Sequence, residues 1–347
     1  MKFGLYMANY GDFSDVRALG ELAREAEVGG WDGIFLFDSI QPSEAGSYEP
    51  VADPWLALMA IALATDRIRF GTLVTALARR RPAKLARETV TLDRASRGRL
   101  VLGVGLGYGP SAGPEFAGLG EDPDPVVRAA RLDESLEVLT GLWSGKPFSH
   151  AGRYYQVQET TFLPRPVQTP RIPIWVGGFW PNPRPMRRAA RYDGVFPLRL
   201  DWAGGGFLSP EEISAVRSYV AERRAGDEPF DVVFSASYPD NQPSPTADAL
   251  AAYAEAGVTW WLENATSLEQ ARARAWEGPT AVGCSSRVRF RNDGLVLPLA
   301  RRPPERPADR VRQRDTRRER PGAKVRTPCW TTPASLRRWR PLGTAAA

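Results

Sequence analysis

Eight short apolar runs recur between residues 1 and 265, separated by longer segments with helical periodicity. Most of these runs are continuously apolar rather than alternating, which is typical of strands that are covered on both faces. The predicted strands are Lys2–Ala8, Gly33–Phe37, Ile68–Thr75, Leu100–Gly107, Ile172–Gly178, Gly194–Leu198, Phe230–Ala236 and Thr259–Glu263.

The segments between the strands carry helix start and stop signals. Ser14 is placed to cap a helix that runs to Val28 and stops at Gly29–Gly30. Asp53–Pro54 opens the next helix, with proline at the favoured first position, and Pro82 opens the third. The remaining helices are predicted at Val126–Trp143, Pro185–Arg191, Pro210–Arg224, Ala247–Ala256 and Ser267–Ala275.

Alternation of eight strands with helices predicts an α/β fold, a (β/α)8 TIM barrel. An open doubly wound sheet would have a switch point and usually fewer strands. The stretch from Gly145 to Pro170 is too long for an ordinary βα connection. We therefore predict a hairpin-like insertion over one barrel face, between strands four and five.

The character of the sequence changes at about Gly278, where the periodic apolar pattern stops. Residues 285–347 contain 17 basic and five acidic side chains, a net charge of +12, so the chain's total of +6 leaves −6 on residues 1–284. A segment this rich in Arg and Pro buries too little apolar surface to offset chain entropy. We predict one barrel domain at 1–278 and a disordered C-terminal tail at 279–347. This tail is a dispensable extension, a basic arm, or an out-of-frame translation of a GC-rich gene.

Composition excludes several classes of protein. The mildly acidic body offers no electrostatic footprint for nucleic acid, and no apolar run approaches the roughly 20 residues of a membrane span. The single histidine, His150, excludes a metal site with two His ligands, and Cys284 and Cys329 form neither a disulfide framework nor a metal cluster. The amino terminus lacks the features of a signal peptide. We expect a cytoplasmic protein with no metal and no nucleic-acid or membrane partner.

Four glycines lie at and just after the end of the fourth predicted strand: Gly103, Gly105, Gly107 and Gly109. They let a backbone approach a planar ring or a phosphate closely, or they serve only to form tight turns. Their spacing differs from the dinucleotide pattern G-x-G-x-x-G and no helix follows directly, which disfavours a Rossmann site. Six aromatic residues are candidates for lining a pocket for a flat ring, although each could equally belong to the core. They are Tyr6, Trp55, Tyr108, Trp175, Phe179 and Trp180.

Further candidate site residues lie at the ends of three other strands. Gly177 and Gly178 end the fifth strand, where barrel enzymes often bind phosphate through backbone N–H groups, although a simple turn needs the same residues. Asp38 and Ser39 end the second strand and Asn9 follows the first, so we interpret them as candidate catalytic residues. An Asp in this place serves equally well as a loop cap.

Several segments together resemble the luciferase-like family of flavin- and F420-dependent oxidoreductases. Each segment is modest alone, but their order and spacing are specific, and they cover about residues 1–278. The segments are Asp53–Trp55, Ile68–Thr75, Arg81–Glu88, Leu92–Leu100, Gly103–Tyr108, Pro164–Gln168, Ile172–Gly178 and Arg188–Gly194.

The resemblance implies an isoalloxazine or deazaflavin ring at the carboxyl-terminal mouth of the barrel. It also implies a non-prolyl cis peptide at Leu73–Val74 that supports the ring, and a phosphate near Gly177 and Gly178. In such an enzyme the cofactor performs the redox chemistry, while the protein supplies position, electrostatics and water exclusion. The cofactor-binding residues that it implies are Leu73, Val74, Thr75, Gly105, Gly107, Tyr108, Gly177 and Gly178.

Two positions depart from the family pattern. Many relatives carry His after the Asp at the end of the second strand, where this chain has Ser39, and the FMN-using luciferases carry Arg where this chain has Leu106. The second difference shifts our expectation slightly from FMN to coenzyme F420.

The implied function is that of an oxidoreductase, a luciferase-like monooxygenase or dehydrogenase, which uses reduced FMN or F420 to oxidise or reduce a small organic substrate. A separate flavin or F420 reductase and a second copy of the chain, in a homodimer, are its expected partners. A non-catalytic ligand-binding paralogue and a cofactor-free hydrolase or lyase on the same barrel are the alternatives.

Overall fold

The computed structural model describes residues 1–41, 49–107, 115–199, 207–236 and 245–279. Its strands are β1 (Lys2–Met7), β2 (Gly33–Leu36), β3 (Arg69–Ala76), β4 (Leu100–Gly105), β5 (Pro147–Ala151), β6 (Gln156–Thr161), β7 (Ile174–Trp180), β8 (Gly194–Arg199), β9 (Asp231–Ala236) and β10 (Trp260–Ala265). Strands β1–β4 and β7–β10 pair in parallel and close into an eight-stranded barrel, in which β10 returns to β1. The eight predicted strands and the TIM barrel are confirmed.

Eight helices alternate with the barrel strands: α1 (Val16–Gly29), α2 (Pro54–Ala64), α3 (Pro82–Ala95), α4 (Pro125–Trp143), α5 (Pro183–Ala189), α6 (Pro210–Ala221), α7 (Ala247–Ala256) and α8 (Leu268–Glu277). Asp53 caps α2 as predicted, since its carboxylate accepts from the backbone N–H of Trp55 and Leu56. The prediction that Ser14 caps the first helix is wrong. The cap is Asp15, because Ser14 lies within a 3-10 turn that precedes the helix.

The barrel interior is a packed core. Large buried side chains such as Phe35, Trp175 and Trp260 fill it. Phe37, Val74 and Leu198 are half-buried and pack against this inner cluster, and Phe37 lies two residues beyond Phe35 on the same strand face. A larger apolar layer separates the strands from the helices. Since the interior is filled, a ligand site in this fold belongs at the carboxyl-terminal ends of the strands.

The predicted insertion between strands four and five is an antiparallel hairpin of β5 and β6. Glu134 on α4 anchors its turn, accepting hydrogen bonds from the backbone N–H of Tyr154 and Tyr155 and pairing with His150 Nε2 at 3.2 Å. Arg87 on α3 donates to the carbonyl of Leu163 at 2.6 Å. These contacts place the insertion against the helices α3 and α4, on the outer wall of the barrel.

We expect Glu134→Gln to weaken the fold at neutral pH but not in acid. Burial alone would raise the pKa of Glu134, but the two N–H groups and His150 lower it on balance. Because the pKa is lower in the folded state, the ionised carboxylate stabilises the fold at any pH above its unfolded-state pKa of roughly 4.3. This stabilisation is lost as the pH falls through the folded-state pKa. Denaturant unfolding should give a deficit of about 1–3 kcal/mol at pH 7 that shrinks below about pH 4. A deficit independent of pH would contradict this account.

A buried arginine joins α2 to α3 and β4. The guanidinium of Arg99 donates to the carbonyls of Ala62, Thr65, Ile68 and Ser96 and to the Thr65 hydroxyl. Two of these carbonyls lie at the carboxyl-terminal end of α2, where a cation is favourable. Arg99, within the segment Leu92–Leu100 that carries part of the family resemblance, therefore has a structural role.

Replacing Arg99 with Met should lower the free energy of unfolding by about 2–4 kcal/mol. The variant keeps the apolar stem but leaves several buried carbonyls without donors. Urea unfolding followed by circular dichroism measures this loss. Arg94→Met serves as the control, because Arg94 is exposed and donates only to the Arg165 carbonyl at 3.2 Å. Equal losses in the two variants would show that the buried network adds nothing.

Candidate cofactor and active site

The end of β3 departs from regular strand geometry. The Leu73–Val74 peptide bond is cis, as the family resemblance implied, and the β3–β4 register shifts between Thr72 and Thr75. The irregularity brings the Val74 side chain between Gly105, which ends β4, and Gly177, which lies in the middle of β7. The prediction that Gly177 and Gly178 end the fifth strand is wrong, because this strand continues to Trp180. A Cβ atom added to Gly105 would lie 2.6 Å from Val74 Cγ2, and one added to Gly177 would lie 2.7 Å from Val74 Cγ1.

Val74, Gly105 and Gly177 therefore form one surface, in which two glycine backbones contact a single aliphatic side chain. Any side chain at either glycine would displace Val74. The surface lies towards the carboxyl-terminal ends of β3 and β4 and at the middle of β7, above the filled barrel interior. A flat apolar floor of this kind fits a planar aromatic ring.

The other glycines near the mouth have separate packing reasons. Gly107 has a φ of +80°, and a Cβ atom there would lie 2.6 Å from the ring of Phe116. At Gly178 a Cβ atom would lie 2.2 Å from Pro185, so this glycine lets α5 approach β7. Their cofactor contacts stay predictions, as does that of Tyr108, which lies outside the described residues.

Tyr6 fixes the backbone beneath this floor. Its hydroxyl donates to the Leu73 carbonyl at 2.5 Å from within the barrel core. Burial, with a smaller contribution from Tyr10, raises the pKa of Tyr6 far above its usual value, so the phenol stays protonated and keeps donating. Tyr6, Trp55 and Trp175 are buried core residues, whereas Phe179 and Trp180 are half-buried at the end of β7.

Asp38 lies just after β2 and is enclosed by cations. Its carboxylate side chain has no exposed surface. Oδ2 accepts from the Thr75 hydroxyl at 2.7 Å and from Arg80 Nε at 3.0 Å, while Oδ1 pairs with Arg79 at 3.3 Å and with Arg80. Burial lowers the pKa of Arg80, but the Asp38 carboxylate more than reverses this effect and the pKa is raised. Asp38 is therefore a buried carboxylate whose two oxygens both have partners.

Glu115, in the connection after β4, joins this cluster to a second loop. Its Oε2 pairs with Arg79 Nη1 at 2.9 Å, and its Oε1 accepts from the backbone N–H of Ile40 at 2.9 Å and of Gln41 at 3.2 Å. The connections after β2, β3 and β4 are thus held together by one chain of ion pairs and hydrogen bonds. We call Asp38, Arg79, Arg80 and Glu115 the three-loop cluster.

Asn9 positions Ser39. Its side-chain amide donates to the carbonyls of Ser39 at 2.8 Å and Ala52 at 2.7 Å, and its side-chain oxygen accepts from the Ser39 N–H at 3.1 Å. Asn9 is completely buried and Ser39 is half-buried. The structure thus brings the three candidate catalytic residues Asn9, Asp38 and Ser39 to one side of the mouth, and their catalytic roles stay predictions.

Sequence reasoning did not single out Arg79, Arg80 or Glu115. A signal for the arginines was present, because Arg79–Arg80–Arg81 directly follows an apolar strand and precedes a proline-opened helix. In a parallel barrel such a place is a loop of the site rather than the solvated face of a helix. Glu115 gave no signal, since its partners are 36 or more residues away in sequence.

Metal sites and membrane-spanning helices are two further features to consider in the described residues. No group of three or more His, Cys, Asp or Glu side chains in that part of the chain is arranged to hold a metal ion. Over the same residues, no helix combines the length and the apolar character that crossing a membrane requires.

Solved structures share this fold. An F420-dependent secondary alcohol dehydrogenase in complex with an F420–acetone adduct covers 81% of this chain and 98% of its own, with a TM-score of 0.65 and 18% identity. The monooxygenase RslO1 from Streptomyces bottropensis covers 82% and 98%, with a TM-score of 0.62 and 21% identity. At these identities the likeness shows the fold alone.

Curated proteins give a closer sequence match over a shorter length. An F420-dependent glucose-6-phosphate dehydrogenase of Nakamurella multipartita is 36% identical over 165 residues, which are 47% of each chain. An uncharacterized protein of Mycobacterium bovis is 32% identical over 218 residues, 58% of this chain and 70% of its own. The chain thus spans about half the length of the F420-dependent glucose-6-phosphate dehydrogenases that it matches. The profile of the luciferase-like monooxygenases matches residues 2–289, and the chain belongs to this family.

Proposed function

We propose that the protein is an oxidoreductase that uses coenzyme F420 or reduced FMN on a small organic substrate. The observation that carries this proposal is the floor formed by Val74, Gly105 and Gly177, where any added Cβ atom would displace Val74. Such a floor fits an isoalloxazine or deazaflavin ring, which Val74, Gly105 and Gly177 would contact, while Leu73 and Thr75 are buried and would support the floor from below. A bound cofactor of this class supplies hydride transfer or oxygen activation.

F420 is our preferred cofactor. Several relatives that match this chain at 34–36% identity are named as F420-dependent. Leu106, where FMN-using luciferases carry Arg, is half-buried and packs against the core. The exposed Arg184 and Arg187 on α5, which follows β7, offer positive charge on the side where Gly177 and Gly178 are expected to meet the phosphate.

Cofactor binding is the first test. Purified protein should quench the fluorescence of F420 on titration, with a lower Kd than for FMN. NADPH in flavin-free and F420-free buffer serves as the control, and it should neither bind tightly nor support turnover. If neither F420 nor FMN binds, the proposed function fails, and the alternative of a paralogue for another ligand takes its place.

In this proposal Asp38 positions neighbouring loops and does not exchange protons with the substrate. The Asp38 carboxylate is closed to substrate, because Thr75, Arg79 and Arg80 occupy its oxygens. Its role is to hold the β3 connection in place. Ser39 is the half-buried hydroxyl nearest in sequence, and Asn9 fixes its backbone. Ser39 is therefore our candidate for contact with substrate or ring.

We also propose a homodimer formed through α2. This helix has no charged residue, and Leu56 and Leu63 are 70% and 73% exposed on the face that also contains Met59 and Ala60. An apolar stripe of this kind marks an interaction surface. A second copy is the occupant that we propose, because an isologous contact would bury the same apolar stripe of both copies at once.

Light scattering tests the dimer. The double variant Leu56→Glu with Leu63→Glu should be monomeric at a concentration where the unaltered protein is dimeric. Val126→Glu is the control, because Val126 is 65% exposed on α4, away from the stripe. A dimer that survives the double change would place the interface elsewhere.

A cytoplasmic location, expected from the two thiols, remains part of this proposal.

The domain boundary at residue 278 is a further part of the proposal. The last described helix, α8, ends at Glu277, while the family profile extends to residue 289. We expect truncations after Gly278 and after Arg289 to have the same melting temperature and cofactor affinity as the full chain. Loss of several degrees on either cut would show that the removed residues pack on the barrel.

A further inference from the structure

A cavity lies at the amino-terminal end of the barrel, opposite the mouth, where β1, β2, β3 and β10 begin. Its volume is about 150 Å³. One water takes up roughly 30 Å³ in the liquid, so the cavity has room for a polyatomic ligand. Three basic side chains and one acid line it together with buried apolar residues, and this lining includes Lys2, Arg67, Arg69, Asp32, Trp31 and Trp260.

Trp260 lines the cavity from inside the barrel, where it belongs to the inner apolar cluster. Gly4, Gly33 and Arg69 are neighbours in register across β1, β2 and β3, and Lys2 lies two residues before Gly4, so these four residues share the inner face. A Cβ atom added to Gly33 would lie 2.7 Å from the Trp260 ring. The ring therefore lies against the backbone of β2, between the two strands that carry Lys2 and Arg69.

The donors that face this cavity are not all used by the chain. Lys2 Nζ lies 5.2 Å from the centroid of the Trp260 ring. Within the described residues, neither Lys2 nor Arg69 has an ion-pair partner or a side-chain hydrogen bond. The indole N–H of Trp260 also lacks an acceptor there, although the residue is only 1% exposed. A buried N–H without an acceptor is unfavourable, so an oxygen atom that accepts from it would be stabilising.

The other two charged side chains of the lining are already engaged. Arg67 donates to the Glu27 carbonyl at 2.7 Å, and its backbone N–H donates to the Glu27 carboxylate at 2.6 Å. Asp32 accepts from the backbone N–H of Phe3 at 2.9 Å. Three cations against one carboxylate give the lining a net charge of +2. The uncommitted charge therefore belongs to Lys2 and Arg69.

We propose that this cavity binds a phosphate group, either as the free ion or as a monoester of a small molecule. The ammonium of Lys2 and the guanidinium of Arg69 supply the positive charge, and the indole N–H of Trp260 supplies a further donor. A phosphate offers more acceptor oxygens and more charge than a carboxylate, and a guanidinium binds two of its oxygens at once. Arg69 lies five residues before Val74 on β3, roughly 16 Å along a strand, so this site is separate from the proposed cofactor site. The proposal does not depend on the proposed function.

The first test compares three anions. Inorganic phosphate, glycerol 3-phosphate and malonate are titrated into the full chain in a phosphate-free buffer of low ionic strength, and binding is followed by calorimetry and by the melting temperature. We expect phosphate to raise the melting temperature by about 2–5 °C at ten times its Kd, and its affinity to fall at high salt. Binding of glycerol 3-phosphate alone would identify a monoester, and binding of inorganic phosphate alone would identify the free ion. Malonate should bind at least about tenfold more weakly, and equal affinity for malonate would overturn the assignment to phosphate.

Substitutions locate the bound phosphate, because a phosphate near Gly177 and Gly178 would not respond to a change at position 69. Arg69→Met and Lys2→Met should each weaken phosphate binding about tenfold or more, while Arg69→Lys should retain part of the affinity. The control is Arg217→Met, which removes the same charge from α6, where Arg217 is exposed and has no ion pair among the described residues.

Lys2 is exposed, so Lys2→Met still tests the site if Arg69→Met does not fold. The proposal is overturned if phosphate does not bind to the unaltered protein. It is also overturned if the folded variants at positions 2 and 69 bind phosphate as tightly as Arg217→Met does.

Discussion

Gly105→Ala should reduce cofactor affinity about 10- to 100-fold while the barrel still folds. The new Cβ atom would lie 2.6 Å from Val74 Cγ2 and 3.3 Å from Val74 Cβ, so Val74 must move towards the space where the ring is expected. Overpacking of this size costs about 1–3 kcal/mol, and here the cost falls on the binding surface. Fluorescence titration with F420 measures the loss.

A second substitution makes the result specific to the floor. Val74→Ala removes the methyl groups that the new Cβ atom meets, so the double variant Gly105→Ala with Val74→Ala should regain affinity relative to Gly105→Ala. The control is Gly20→Ala on α1, where the added Cβ atom would meet ordinary contacts at 3.5 Å or more. If Gly105→Ala binds F420 with wild-type affinity, or if the effects of the substitutions at positions 74 and 105 on affinity are additive, then this floor is not part of the cofactor site.

Local patterns predicted most of the fold because each strand and helix carries its own signals. The continuous apolar runs gave the strands, and Asp–Pro or Ser–Pro pairs opened several helices. Ser14 was misjudged as a cap because Ser and Asp are both good caps and the adjacent Asp15 holds the N–H groups of Arg17 and Ala18. Such a choice between neighbours depends on the geometry of the incoming chain.

The candidate site was only partly accessible to sequence reasoning. Gly105 and Gly177 were selected as glycines at strand ends, but their common contact, Val74, depends on how three strands meet. Asp38 was selected as a strand-end carboxylate, and the same pattern could not show that two arginines close it to solvent. Long-range ion pairs leave no periodic trace in the sequence, so the three-loop cluster emerged only from the structure.

The three-loop cluster gives the largest expected effect on stability. Asp38→Ala should lower the free energy of unfolding by about 3–5 kcal/mol. The almost fully buried Arg79 would keep only its ion pair with Glu115. Arg80 would lose the buried carboxylate with which it pairs. Denaturant unfolding measures this loss. Glu222→Ala is the control, since the Glu222–Arg223 pair is exposed and should contribute less than about 1 kcal/mol.

The Asp38→Asn variant separates positioning from proton transfer. It keeps the shape and one acceptor oxygen but loses the charge that holds Arg79 and Arg80. If Asp38 positions the loops, Asn should lower stability and cofactor affinity together, and the pH profile of kcat/KM should keep its shape because no group that exchanges a proton with the substrate is lost. If Asp38 carries the proton, Asn should abolish turnover with stability and cofactor affinity intact. The enclosed carboxylate leads us to expect the first outcome, and the second would return Asp38 to the catalytic residues.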